Sequence, residues 1–109
     1  MAITAITSVQ EFDEKVLGSK CLAIVDFWAA WCEPCTLMRP EVEAVAERLK
    51  GKVEFFSVDA EDKNLRGVLL KEDIDGIPSM VFYRDGKMLD SLVGYKKADV
   101  LESLIKEVI

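Results

Sequence analysis

Cys32 and Cys35 stand three residues apart in a chain of 109 residues that has one other cysteine and no histidine. Two cysteines at this spacing in a first helical turn have Cα atoms within the roughly 4.4–6.8 Å that a disulfide requires, so they can bridge without unfolding the chain. The segment around them, Val25-Asp-Phe-Trp-Ala-Ala-Trp-Cys-Glu-Pro-Cys35, reads as a buried strand handing over to a helix. Cys32 then falls just ahead of the helix, where unpaired amides and the macrodipole favour an anion, while Cys35 lies inside the first turn and is better shielded. The chemistry this predicts is dithiol–disulfide exchange. A Cys32 thiolate attacks a substrate disulfide, a mixed disulfide forms, and Cys35 displaces the reduced substrate by closing the internal bridge. Without histidine there is no Ser/His/Asp triad, Cys/His protease or HExxH zinc site. Three cysteines without histidine also fall short of the four good ligands of a zinc or iron–sulfur centre, unless a dimer or carboxylates complete the set, so no metal and no cofactor is expected.

Hydrophobic spacing predicts alternating strands and helices to hold this pair. Ile3 to Ile6 forms a short edge strand, and Ser8-Val-Gln-Glu11 is a capping box opening a helix that runs to Leu17 and stops at Gly18. Leu22 to Trp28, rich in Ile, Val, Phe and Trp, is a central strand buried on both faces. Pro34 suits the first turn of a second helix, whose Val42, Val45, Ala46 and Leu49 recur at helical spacing until Gly51. Pro40 inside that helix cannot give its amide hydrogen bond to Thr36, which predicts a kink. Val53 to Val58 is another strand, and Lys63 to Lys71 a short helix weakened by Gly67. Met80 to Tyr83 and Met88 to Val93 form an antiparallel hairpin through Asp85-Gly86. Val100, Leu101, Leu104, Ile105 and Val108 make one apolar stripe of a C-terminal helix. This order predicts an α/β fold with a central mixed sheet, about five strands and about four helices, the helices on both faces.

Half of the residues are apolar, and 20 Asp and Glu outweigh 14 Lys and Arg to give a formal net charge of -6. One compact domain spanning 1–109 with its own core is expected, and as a monomer. The acidic balance repels phosphate backbones and anionic membrane surfaces, so neither nucleic acid nor a membrane is an expected partner. The N-terminus carries no basic region followed by an apolar stretch, and no apolar run approaches a membrane span. A cytoplasmic location follows as an expectation; thiols there are kept reduced, and a close Cys pair is redox-active or metal-binding rather than a permanent staple.

Trp-Cys-Glu-Pro-Cys after Val-Asp-Phe-Trp-Ala, Ile77-Pro78 before a late strand and Gly94 after the last strand match, in order and approximate spacing, the thioredoxin family. The resemblance extends over nearly the whole chain and is far more specific than a lone CxxC. It implies a thioredoxin-like fold and general reduction of protein disulfides. It also implies disulfide-containing target proteins and a separate thioredoxin reductase, NADPH- or ferredoxin-linked, as partners. No nucleotide-binding fingerprint occurs in the chain itself, so its electrons come from another protein. Carried over by position, Cys32 and Cys35 match the redox pair, and Asp26 matches the buried acid that helps deprotonate the resolving thiol. The residue types alone leave Asp26 open between that role and a strand-end carboxylate that meets solvent; burial on an apolar strand would raise its pKa towards the range of proton exchange. Ile77-Pro78 resembles the family's cis-proline segment, which offers backbone groups to an extended substrate, although a trans proline opening a strand is the commoner pattern. Gly94 matches a glycine that lets a partner approach the groove, where a plain turn glycine would read the same. Trp31, Glu33 and Pro34 complete the expected substrate-facing set, with Trp31 on the rim and Trp28 in the core or as a lid beside Asp26.

Two positions depart from the family pattern. Glu33 stands where most members carry glycine. A negative charge beside Cys32 opposes its thiolate and makes the couple more reducing, but the same charge suits a helix N-terminus. Phe55 stands where many members place a lysine near the buried acid, which predicts that Asp26 loses a cationic neighbour. Cys21 is expected as a small buried apolar side chain rather than a third catalytic thiol, and Met38 and Met80 as packing residues. The alternatives to a general reductase are a specialised redoxin, isomerase or oxidant with a dedicated partner, a redox-silent interaction module, and a metal-binding domain.

Overall fold

The computed structural model describes residues 2–109. Strand β1 (Ile3–Ala5) leads to a helix that starts as α1 (Val9–Glu11) and continues as a π-helix over Phe12–Leu17. Strand β2 (Leu22–Trp28), helix α2 (Glu33–Arg48) and strand β3 (Val53–Asp59) follow. A 3₁₀ turn at Lys63–Leu65 opens into α3 (Arg66–Lys71), the hairpin β4 (Ser79–Arg84) and β5 (Lys87–Val93) comes next, and α4 (Ala98–Lys106) closes the chain. The strands lie in the order β1-β3-β2-β4-β5. β1 and β2 run parallel to β3, whereas β4 is antiparallel to β2 and β5 to β4. This is the five-stranded mixed sheet expected, with β2 at its centre. Among the described residues no helix is long and apolar enough to cross a membrane.

Side chains alternate across a strand, so β2 feeds two cores at once. Leu22 and Ile24 pack with Met38, Val42, Phe55, Phe82, Leu101 and Ile105 beneath α2 and α4. Ala23, Val25 and Phe27 pack with Phe12, Val16, Leu65, Val68 and Tyr83 beneath the other helices. Each fully buried Ile, Val or Phe of this strand contributes about 1.5–3 kcal/mol. The same alternation puts Asp26 and Trp28 on the α2 side. Helix α4 is held there by α2: Glu41 Oε1 accepts the Ala98 amide at 2.8 Å, and Arg48 pairs with Asp99 at 3.2 Å and Glu102 at 2.9 Å.

The hairpin turn has the geometry its sequence predicts, while several positions in the helices differ from theirs. Asp85 and Gly86 both have positive φ, 53° and 79°, which is the geometry of a tight hairpin turn. Ser8 Oγ accepts the Glu11 amide at 3.0 Å, but the return bond of the capping box runs from the Thr7 amide to Glu11 at 2.6 Å rather than from Ser8. Helix α2 continues through Pro40 without a break in its helical residues. Gly67 does not simply weaken a helix; a Cβ there would lie 3.2 Å from Val9 Cγ2, so its bareness lets α3 approach α1. Val100 does not join the buried stripe of α4. It is 48% exposed, and Ala98, Leu101 and Ile105 face the sheet instead. The apolar pattern spans more of the helix circumference than the sheet covers. Cys21 is also not buried: it stands half-exposed ahead of β2, where Glu54 and Ser19 border its sulfur, with 3.6 Å from Cys21 Sγ to Glu54 Oε1.

Gly18 ends the first helix with φ -87°, an ordinary value, but a Cβ would sit 2.3 Å from the Glu14 carbonyl oxygen. Gly18→Ala is therefore expected to lose about 1–3 kcal/mol in urea unfolding; unchanged stability would show that the helix end can relax around a methyl group.

Candidate active site

The site forms where β2 ends and α2 begins. Cys32 is the N-cap of α2, with Glu33 and Pro34 opening its first turn. The Cys35 amide donates to Cys32 Sγ at 3.3 Å, and the Thr36 amide donates to the Cys32 carbonyl at 3.2 Å. The amide of Cys32 itself is tied to the Ala29 carbonyl at 3.1 Å, which fixes the approach to the helix. A sulfur in this place receives a helix N-terminal N–H and the positive end of the macrodipole, and both favour its anion. Cys32 and Cys35 are bridged as a disulfide with Cα atoms 5.3 Å apart. Ala29, Trp28 and Ile77 pack around the bridge. Cys35 is not the better shielded of the two, since Cys32 is 4% and Cys35 6% exposed. Once the bridge is closed, the same apolar side chains cover both residues, so what distinguishes Cys32 is its N-cap position.

Asp26 lies beneath α2 at 5% exposure, across β2 from buried Ser57 of β3 and from Met80 of β4. Burial pushes its carboxyl up to about 6, against an opposing pull from the positive charge of Arg39. Position 55 supplies no cation to Asp26, as the sequence predicts. Phe55 is indeed core, but Arg39 supplies positive charge from α2. Its guanidinium lies 5.0 Å from the centroid of the Trp28 ring, which makes half-buried Trp28 a platform between Arg39 and the cysteine pair. Sequence reasoning missed Arg39. Its signal was a basic residue four positions after Cys35, one turn along the same helix face.

Trp31 is 68% exposed on the rim. It lines a 310 Å³ groove with Leu69, Ile74, Gly76 and Ile77, and Ile77 also touches the cysteine cluster. The Ile77–Pro78 peptide bond is cis. The Pro78 carbonyl accepts the Gly94 amide at 2.9 Å, bringing together two segments that lie far apart in the sequence. Gly94 has φ 98°, so its backbone conformation demands glycine, while the space where a Cβ would sit is open. Glu33 is exposed at the head of α2. Among the described residues no group of three or more Cys, Asp or Glu converges as a metal site.

Burial of Asp26 has a measurable consequence. Its folded pKa of about 6 lies above the usual 3.8, so between these values the folded protein holds a proton that the unfolded chain has lost. Stability attributable to this group is then complete below about pH 4 and falls as pH rises to about 6, by about 3 kcal/mol. Asp26→Asn, in the disulfide form, is expected to be more stable than the parent at pH 8 and no more stable at pH 3.5, by denaturant unfolding. A pH-independent difference would show that the carboxyl is not desolvated.

Comparison with known proteins agrees with this geometry. The family model described as Thioredoxin matches residues 3–107. The chain is 30% identical over 105 residues to a thioredoxin of Staphylococcus aureus, covering 96% of each. It is 32% identical over 99 residues to a mitochondrial thioredoxin of Bos taurus, covering 91% of this chain and 58% of that protein. The chain therefore spans little more than half the length of these mitochondrial relatives. Its fold is similar to the crystal structure of Malassezia sympodialis thioredoxin, with a TM-score of 0.86, 28% identity, and coverage of 96% of this chain and 91% of that one. A five-stranded mixed sheet, a disulfide-competent CxxC at the head of α2 and these relatives lead to one conclusion: the chain belongs to the thioredoxin family.

Proposed function

We propose that this chain, a single domain acting as a monomer, reduces disulfides in target proteins and is returned to the dithiol form by a separate reductase. The observation that carries the reading is the N-cap position of Cys32, whose sulfur accepts the Cys35 amide. In the reduced protein the Cys32 thiolate attacks one sulfur of a target disulfide; the S–S bond breaks, and the leaving sulfur departs as a thiolate that takes a proton from water. Asp26 then accepts the Cys35 proton, through water, and the Cys35 thiolate attacks Cys32 Sγ. The second target sulfur leaves, the Cys32–Cys35 bond closes, and two electrons have passed from the pair to the target. A thioredoxin reductase, NADPH- or ferredoxin-linked, returns two electrons and two protons.

An extended target segment would lie along the rim formed by Trp31, Glu33, Pro34, Ile77, Pro78 and Gly94. Trp31 and Ile77 give apolar contact, and the chain around Pro78 offers backbone groups close to the bridge. The exposed apolar rim supports this placement. A thiol-reducing compartment such as the cytoplasm suits a pair that must be kept recharged.

With a disulfide-containing substrate, Cys35→Ser is expected to stall as a mixed disulfide visible on a non-reducing gel, and Cys32→Ser to give neither that adduct nor turnover. An adduct through Cys35 in Cys32→Ser would reverse the assignment. Asp26→Asn should slow target release at pH 7 by roughly tenfold or more and remove the inflection near pH 6; an unchanged pH profile would exclude Asp26 as the proton acceptor.

A further inference from the structure

We infer that Arg39 is a positioning residue for proton transfer at the cysteine pair, supplying from α2 the positive charge that faces buried Asp26 and that β3 does not provide. The inference rests on the proposed role of Asp26 as proton acceptor.

Four features carry it. Arg39 follows Cys35 by four residues on α2, so the two share one helix face a turn apart. Its guanidinium stacks on Trp28, which is two residues beyond Asp26 on the same side of β2. A planar, always-charged group held against an aromatic face keeps its direction better than a free lysine ammonium would. Arg39 also lines a 420 Å³ cavity with Ser57, the residue opposite Asp26 on β3, and with Ile3 and Ala5 of the edge strand. Finally, the residues directly opposite Asp26 on the neighbouring strands, Ser57 and Met80, are uncharged. β4 presents Met80 and Ser79, β3 presents Phe55 and Ser57 with Asp59 at its end, and α2 adds Cys35. Glu43, Glu47 and Lys50 of α2 border the cavity further along.

The chemical consequence concerns the resting state of the base. Burial favours the neutral acid, which cannot take a proton from Cys35. A facing positive charge favours the carboxylate, and the two effects act on Asp26 in these opposite directions. Arg39 therefore keeps a larger share of molecules ready to accept the Cys35 proton near neutral pH. In exchange, no proton is stored on Arg39 itself, whose guanidinium stays charged throughout.

The test is a titration of the Asp26 carboxyl by carbon NMR in the disulfide form, with Asp26→Asn identifying the resonance. In Arg39→Met the midpoint should move to higher pH by about half a unit or more, and Arg39→Lys should restore part of the difference. The pH inflection of target release should move the same way in Arg39→Met. In an Asp26→Asn background, Arg39→Met should leave the remaining pH profile where it is. An unchanged midpoint in a folded Arg39→Met protein overturns the inference, as does an equal kinetic shift in the Asp26→Asn background. Should Arg39→Met not fold, Arg39→Gln carries the same titration. Because the titration needs no turnover, its failure is distinct from failure of Asp26 as the base, which Asp26→Asn kinetics report alone.

Discussion

The start of α2 is the point on which the molecule turns. A helix begins with amides that have no partner inside it, and here the Cys35 amide is met by the sulfur of Cys32. That bond places one cysteine as a cap and the other three residues inside, with Cα atoms 5.3 Å apart, so one backbone geometry sets both the anion-stabilising environment and the reach of the bridge. The remaining architecture keeps this junction in place. β2 is paired on both edges and buried on both faces, so its last residue cannot drift. α2 is pinned to the sheet by Met38, Val42 and Val45 and tied to α4 by Glu41 and Arg48. A central strand gives the cysteine pair a fixed origin, while the exposed rim beside it is assembled from a tryptophan and loops.

Asp26 shows why an apolar scaffold tolerates a carboxylate beneath its main helix. The β2 alternation that buries Leu22 and Ile24 must bury position 26 as well, and an aliphatic residue there would pack at lower cost. Its burial raises the carboxyl to about 6, close to where it can exchange a proton with a thiol. Arg39 and Ser57 make the surroundings polar on one side, and Trp28 closes the other towards the bridge. The stability lost to a buried charge is thus the counterpart of a group with a usable proton affinity.

Much of this was legible along the chain, for reasons specific to each element. The bounds of β2 follow from a dense β-branched and aromatic run, and the hairpin follows from Asp85-Gly86, whose positive φ values few other pairs adopt. The redox pair is legible because CxxC at a strand-to-helix boundary has few other uses. Features that depend on packing between distant segments were not. The π-helical Phe12–Leu17, the exposure of Val100 and the polar setting of Cys21 each depend on what the neighbouring layer covers, which periodicity alone does not encode. Arg39 was hidden for the same reason: a basic residue on a helix reads as solvated surface until β2 and Trp28 are seen beneath it. Equal shielding of Cys32 and Cys35 was missed because it arises when Ile77, from a loop far along the chain, folds over both.

The reduction potential of the Cys32–Cys35 couple tests the central claim most directly, titrated against defined thiol–disulfide buffers with the fluorescence of Trp28 and Trp31 as the signal. A pair that donates electrons to protein disulfides should show one two-electron transition below the cytosolic glutathione poise, roughly -220 to -260 mV. A midpoint well above that range would make the chain an oxidant or isomerase, and the absence of a two-electron transition would contradict redox exchange at this site.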